Sequence, residues 1–264
     1  MKKHILITGS TDGMGKLTAL QLAKDGHTVY IHGRNAKKVE DTVKAIAEVG
    51  SLDRVEGFVA DLSKLNEVEA MAKSIASQVS KLDVLINNAG VFKSQEEQAE
   101  NGVDLRLVVN YLAPVLLTEQ LLPLLQKSDA PRIVNLSSAA QASMSLEALR
   151  GEASLGTNDA YAQSKLALTM WSFNFAKKHP DIVTLAVNPG SLLNTKMAKE
   201  AYGQYWSPAS KGVDILYSLA IDSIHADKSG QYFDNDRGGY NEAHVDAYDE
   251  DKIALLMQAT HQLV

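Results

Sequence analysis

The 264-residue chain contains no cysteine. Disulfides, thiolate metal sites and cysteine nucleophiles are therefore excluded. No metal site is expected. No basic run or stripe occurs and the net charge is −6, so nucleic acid is not an expected partner. No stretch reads as the roughly 20 apolar residues of a membrane span. The N-terminal "MKKHILITGS" has a short apolar run followed at once by a Thr-Gly turn. A signal peptide needs a longer apolar region and a small-residue cleavage site, so a first β-strand is the better reading. A cytoplasmic protein without a membrane span is the expectation. Internal repeats, low-complexity tracts and Pro/Gly/Ser-rich linkers are also missing. Residues 1–264 thus read as a single domain, 45% hydrophobic and long enough to bury a substantial core.

What is present is alternation. Strand-like runs stand at "HILITG" (4–9), "TVYIHG" (28–33), "RVEGFVADL" (54–62), "LDVLINNAG" (82–90), "PRIVNLSS" (131–138), "IVTLAVNPG" (182–190) and "GQYFDN" (230–235). Helix-like segments separate them, among them roughly 103–127 and 159–179, and a last one covers 249–263. Strands alternating with helices imply right-handed βαβ units and a parallel sheet. Near-continuous apolar strands imply that both faces are covered. The expected fold is α/β: one doubly wound Rossmann-type domain of about seven parallel strands, helices on both faces.

"TGSTDGMG" (8–15) joins the first strand to the first helix. Gly9, Gly13 and Gly15 let the backbone approach a pyrophosphate, and the helix offers free N–H groups and a positive dipole end. The spacing is neither G-x-G-x-x-G nor a P-loop. The second strand ends in "HGRN" (32–35), without a carboxylate for a ribose 2′-hydroxyl. Arg34 stands where a 2′-phosphate would fall, which favours NADP(H) over NAD(H). Asp61, ending the third strand, is placed to accept from the adenine amino group or to cap the next helix.

"YAQSK" places Tyr161 and Lys165 four residues apart, on one helix face. A free tyrosine, with a pKa of about 10, is a poor proton donor and acceptor at neutral pH. A nearby ammonium favours the tyrosinate. Taken alone such a pair is commonly two solvated positions; its surroundings argue otherwise. In an open parallel sheet, ligands bind at the carboxyl ends of the strands. "NLSS" (135–138) brings Ser137 and Ser138 there, as substrate-holding hydroxyls or as loop serines. "NNAG" (87–90) ends there too. Asn110 is a polar residue in an apolar helical stretch, either simply satisfied or holding a water beside the site. Pro114, four residues on, forfeits a backbone hydrogen bond and is expected to kink the helix.

The ordered set "TGSTDGMG", "NNAG", Asn110, "NLSS", "YAQSK" and "NPG" (188–190) resembles the short-chain dehydrogenase/reductase family. The resemblance covers most of the chain. It implies an oxidoreductase that moves a hydride between NADP(H) and a small-molecule carbonyl or alcohol. It also implies a tetrad of Asn110, Ser138, Tyr161 and Lys165. Tyr161 would be the general acid/base, Lys165 its tuning cation, Ser138 the holder of the substrate oxygen, and Asn110 the holder of a relay water. The implied cofactor cradle is Gly9, Ser10, Thr11, Asp12, Gly13, Met14, Gly15, Arg34, Asp61, Leu62, Asn88, Ala89, Gly90, Tyr161, Lys165, Pro189 and Gly190.

Two features depart from the commoner pattern. The 22 residues between Ser138 and Tyr161 exceed the usual dozen or so and resemble the retinol-dehydrogenase and protochlorophyllide-reductase-like branch. In "NPGSLLNTKM", Thr195 lies one residue later than the commoner spacing. Substrate recognition is expected from 139–158 and 191–206. In the second loop Tyr202, Tyr205 and Trp206 belong either to a closing lid or to the core. The helix after Tyr161, "LALTMWSFNFA", is apolar on more than one side, which points to a homodimer or homotetramer. The main rival is a non-catalytic NADP(H)-binding sensor or regulatory protein. An extended nucleotide-sugar epimerase lacks room after Pro189, and a methyltransferase would not need the Tyr/Lys pair.

Overall fold

The strands sort their side chains by parity, and this sets the layers. In β1 (His4–Ile7), Ile5 and Ile7 enter one apolar cluster and Leu6 the other. In β4 (Val84–Asn87), Val84 and Ile86 face the first cluster and Leu85 the second. Successive strand residues point to opposite faces, so both faces must be covered. The computed structural model describes residues 2–50, 55–194, 197–199 and 203–264.

The sheet has the order β3-β2-β1-β4-β5-β6-β7-β8. Its other members are β2 (Thr28–Gly33), β3 (Glu56–Val59), β5 (Arg132–Leu136), β6 (Val183–Asn188), β7 (Gln231–Asp234) and β8 (Gly239–Asn241). All pairings are parallel except β7 with β8, an antiparallel hairpin. Eight strands replace the seven expected, because β8 has only three residues, too few for periodicity to reveal. The strand order reverses between β1 and β4, the switch point at which open α/β sheets bind ligands.

One face carries α1 (Gly13–Lys24), α2 (Ala36–Gly50) and α7 (Ala209–Ile221); the other carries α3 (Leu65–Gln78), α4 (Leu105–Leu125) and α6 (Thr157–Lys178). A one-turn helix, α5 (Leu146–Leu149), interrupts the loop before α6, and α8 (Glu250–Thr260) closes the described chain. Asp12 caps α1 by accepting from Gly13 N, and Gly26, at φ +85°, ends it.

Helix α4 corrects one expectation. With a mean hydropathy of 1.4 over its best window it is long and apolar enough to cross a membrane, yet 72% of that window is buried in the fold, as in a core helix. It also contains a π-helical segment at Val108–Leu112. Pro114 has no N–H for the carbonyl of Asn110, and the ladder loosens just ahead of it.

Helix α6 is covered on its apolar sides within the single chain. Met170, Trp171, Phe173 and Phe175 are buried within the single chain. The chain's own C-terminal segment contributes to this cover: Phe173 packs on Tyr248 with ring centroids 5.5 Å apart. Alongside, Tyr111 on α4 shares a 2.6 Å hydrogen bond with Thr260 of α8.

Candidate active site

The glycine turn is held from below by polar side chains. Thr8 Oγ1 accepts the N–H groups of Asn88 and Ala89 at 3.0 Å each. Asn88 Nδ2 returns to the carbonyls of Thr8 (2.8 Å) and Gly9 (3.1 Å). Gly9 N donates to His32 Nδ1 at 3.0 Å, so Nε2 carries the ring proton and donates to Ala60 O at 3.1 Å. Burial lowers the His32 pKa to about 4, keeping the ring neutral. Ser10 Oγ ties the turn to Ile7 O at 2.8 Å.

The glycines are demanded by space. A Cβ on Gly9 would lie 2.8 Å from Ala89 Cα; one on Gly15 would lie 2.4 Å from Asn88 Nδ2 and 2.6 Å from Gly9 O. Gly13 differs: at φ +52° its outer side has nothing within 4 Å. That open backbone at the start of α1 fits the approach of a pyrophosphate. Thr8 and His32 were not among the expected site residues. "HGRN" contained His32, but no sequence pattern ties it to Gly9 across two strands.

Farther along the cleft, Arg34 is exposed and has no ion pair among the described residues. Asp61 Oδ1 accepts from Ser63 N (3.0 Å) and Ser63 Oγ (2.8 Å), so it caps a turn before α3. Leu62, next to it, is buried.

At the strand mouth the two serines divide. Ser137 is buried and bonds α6 through Lys165 O (3.1 Å) and Thr169 Oγ1 (2.7 Å). Ser138 is partly exposed; its Oγ accepts from Ala140 N at 3.1 Å, and its carbonyl accepts from Tyr232 at 2.9 Å. Lys165 is buried, donates to Leu136 O at 2.7 Å, and lies 5.5 Å from the centre of the Tyr161 ring. Burial lowers its pKa to about 8. Phe92 meets Tyr161 edge-on, with centroids 4.9 Å apart.

Asn110 is wholly buried. Its Oδ1 accepts from Val91 N (2.8 Å), and its Nδ2 donates to Val91 O (2.9 Å) and Ser164 Oγ (3.0 Å). The side chain is satisfied, bolting the segment after β4 to α6. A Cβ on Gly90 would lie 3.3 Å from Asn110 Oδ1, 3.6 Å from Lys165 Nζ and 3.7 Å from Met197 Cε. Gly90 is thus the point where three of these groups converge. Phe92 is fixed in turn by Arg106, fully buried, which donates to its carbonyl at 3.3 Å and pairs with Glu97 and Asp104.

The "NPG" segment, with Pro189 and Gly190, is held by the β7–β8 hairpin. Asp236 accepts from Asn188 Nδ2 (2.9 Å), Ser191 N (2.9 Å) and Ser191 Oγ (2.5 Å). Beyond it, Tyr205 is 50% and Trp206 73% exposed, which excludes them from the core. Thr195 and Tyr202 lie outside the described residues.

A family model described as short chain dehydrogenase matches residues 3–206. The chain belongs to this family. It is therefore an oxidoreductase of the dinucleotide-binding kind, and its relatives set it in the retinol-dehydrogenase-like branch. Retinol dehydrogenase 12 of Bos taurus is 34% identical over 244 residues, covering 88% of this chain and 77% of that protein. Polyprenol dehydrogenase of Homo sapiens is 33% identical over 207 residues, covering 75% of this chain and 62% of that protein. Among solved structures, a short-chain dehydrogenase from Escherichia coli in complex with NADPH superposes with a TM-score of 0.74. It is 28% identical, covering 88% of this chain and 96% of that one.

Proposed function

We propose that this short-chain dehydrogenase/reductase acts on a carbonyl or alcohol with NADP(H), Tyr161 being the general acid/base. The observation that carries the reading is the buried Lys165 ammonium beside the Tyr161 ring, at the carboxyl end of β5. When bound, the cofactor supplies or takes up the hydride. Ser138, the partly exposed serine, holds the substrate oxygen. Tyr161 gives its proton to that oxygen, or removes one in reverse. Lys165, in low dielectric, favours the ionised phenol at short range. The Asn110 side chain is engaged elsewhere; its backbone carbonyl, which Pro114 cannot satisfy, is the group left to hold a relay water. Arg34 takes the 2′-phosphate and favours NADP(H) over NAD(H).

Substrate enters between 139–158 and 191–206, the second closing as a lid. The exposed rings of Tyr205 and Trp206 suit an apolar substrate. Relatives named for retinol and polyprenol point the same way.

The test is NADPH oxidation at 340 nm by wild type and Tyr161→Phe over aldehydes, ketones and quinones. The variant is expected to bind NADPH as wild type does and to lose about 100-fold or more in turnover. Equal rates would remove Tyr161 as the proton donor.

A further inference from the structure

Arg106 on α4 is fully buried, and no step of the proposed reaction uses it. Its guanidinium meets three partners. Nη2 donates to Asp104 Oδ2 at 3.1 Å and to Glu97, and Nε lies 3.0 Å from Asp104 Oδ1. Nη1 donates to Phe92 O at 3.3 Å. Asp104 Oδ1 also accepts Arg106 N at 2.8 Å, so the start of α4 is capped without help from the guanidinium. Apolar packing in place of a buried ion pair is often neutral or stabilising. A buried cation with a rigid fork therefore serves placement better than it serves stability.

What it places lies at the site. Arg106 and Asn110 stand four residues apart on α4 and hold consecutive residues of the segment leaving β4. Asn110 binds both backbone groups of Val91, at 2.8 and 2.9 Å, and Arg106 binds the carbonyl of Phe92. The Phe92 ring so fixed is buried and meets Tyr161 at an interplanar angle of 86°, with centroids 4.9 Å apart. Edge contacts between rings are directional. The Tyr161 ring turns about its Cβ, and its hydroxyl is the atom farthest from that hinge. A small tilt of the ring therefore moves the hydroxyl most.

We propose that Arg106 is a positioning residue for proton transfer: it fixes Phe92, and the Phe92 ring sets where the Tyr161 phenol stands. The proposal rests on the reading of Tyr161 as general acid/base. A proton donor must come within hydrogen-bond reach of the oxygen it serves, and a displacement of about 1 Å can cost about 100-fold. Cofactor binding uses other groups, so loosening this clamp slows the proton step and spares the cradle.

The experiment measures single-turnover NADPH oxidation in H2O and in D2O. Its substrate is the member of the aldehyde, ketone and quinone panel that wild type reduces fastest. The variants are Tyr161→Phe, Phe92→Leu, Arg106→Lys and the last two combined. Leucine keeps an apolar side chain at 92 and removes the ring; lysine keeps the cation between the carboxylates and loses the fork. Phe92→Leu and Arg106→Lys are each expected to slow turnover about 10-fold and to leave the Kd for NADPH within about 2-fold. Each should also raise the solvent isotope effect, which a loss of packing elsewhere would not move. The double variant should lose no more than the worse single, since both changes act through one ring. Glu97→Gln loosens the clamp from its exposed end and should show the same pattern more weakly. No turnover by wild type, or a wild-type rate for Tyr161→Phe, overturns the acid/base reading and this inference together. A slow Tyr161→Phe beside a Phe92→Leu of wild-type rate and isotope effect overturns this inference alone. So does slow turnover in Phe92→Leu with an unchanged isotope effect and equally weakened NADPH binding, which would assign the ring to the fold. A wild-type rate for Arg106→Lys, or a double loss equal to the product of the singles, overturns the role of Arg106.

Discussion

The glycine turn and the described parts of the 191–206 loop are built in opposite ways. Under the turn, Thr8, Ser10, His32 and Asn88 satisfy backbone groups from three strands, all with short bonds. The described parts of the loop are held at Asp236 and by a hook in which Trp206 N donates to Leu192 O at 2.9 Å and Asn194 N to Ser207 O at 2.8 Å. Leu192 itself sits at φ +47°, a strained value for a branched residue. The props Thr8, Ser10 and His32 under the turn are buried, while Tyr205 and Trp206 in the loop are exposed. The difference suits the proposed roles, a pre-formed cradle for a dinucleotide of fixed shape and an exposed surface for a variable substrate.

The sharpest way to break the turn is Gly15→Ala. The residue is helical, so alanine suits its backbone; the trouble is space. The new methyl would lie 2.6 Å from Gly9 O, a backbone atom, and 2.4 Å from Asn88 Nδ2, already bonded twice. Overpacking of this kind costs about 1–3 kcal/mol or more, and it displaces the phosphate cradle. A loss of NADPH affinity above 10-fold and a Tm lower by several degrees are expected. Calorimetry and fluorescence titration would check both. An unchanged Tm would show that the turn gives way as easily as the loop.

Lys165 lies between the two regions and tests the buried charge. Its folded pKa, about 8, is below the unfolded value of about 10.5. Below pH 8 both states are protonated, and the fold bears the full burial cost. As pH rises from about 8 to 10.5 the folded state has lost its proton and the unfolded state has not, so the cost fades. Lys165→Met is therefore expected to gain stability at pH 7, by a few kcal/mol at most, with the gain shrinking above pH 8. Denaturant melts at several pH values would check this. A constant difference would mean that the ammonium is not paying for its burial.

Asp236→Asn tests the loop's attachment. Burial alone would raise the Asp236 pKa, but hydrogen bonds from Ser191 and Asn188 outweigh it and hold the carboxyl below its ordinary value. Its contribution is present at neutral pH and lost as acid titrates through the folded pKa. The asparagine variant should lose about 1–2 kcal/mol at pH 7 and almost none in acid. It should also be cut faster by protease within 191–206. Equal digestion would mean that the hook, not the carboxylate, holds the loop.

The same contrast explains what was legible in the sequence. The glycine turn was visible because Gly9 and Gly15 answer local steric demands, and such demands leave a spacing. Tyr161 and Lys165 were visible because helical geometry alone puts them on one face. The props were not. His32 reaches Gly9 from a neighbouring strand, Arg106 reaches Phe92 from a helix fourteen residues on, and Asp236 reaches Ser191 across 45 residues. Partners so distant follow no period. The apolar sides of α6 were ambiguous for a related reason: apolarity on several sides says that something covers a helix, and within this chain Tyr248 packs on it at Phe173.

The smallest effect on stability, and the most specific on function, is expected at Trp206. Its ring is 73% exposed, so truncation to alanine removes little packing and should shift stability by about 0.5 kcal/mol or less. The hook survives, because it uses the backbone N–H of residue 206 and not the indole. If the loop is a lid for apolar substrates, losing the indole removes contact area only in the closed complex. Trp206→Ala should then raise KM for long apolar aldehydes about 10-fold. KM for short polar ones, the Kd for NADPH and the Tm should stay unchanged. Equal changes for long and short substrates would assign the ring to the fold of the loop. No change for either would leave the indole with no part in recognition, and the contrast with the glycine turn would reduce to rigidity alone.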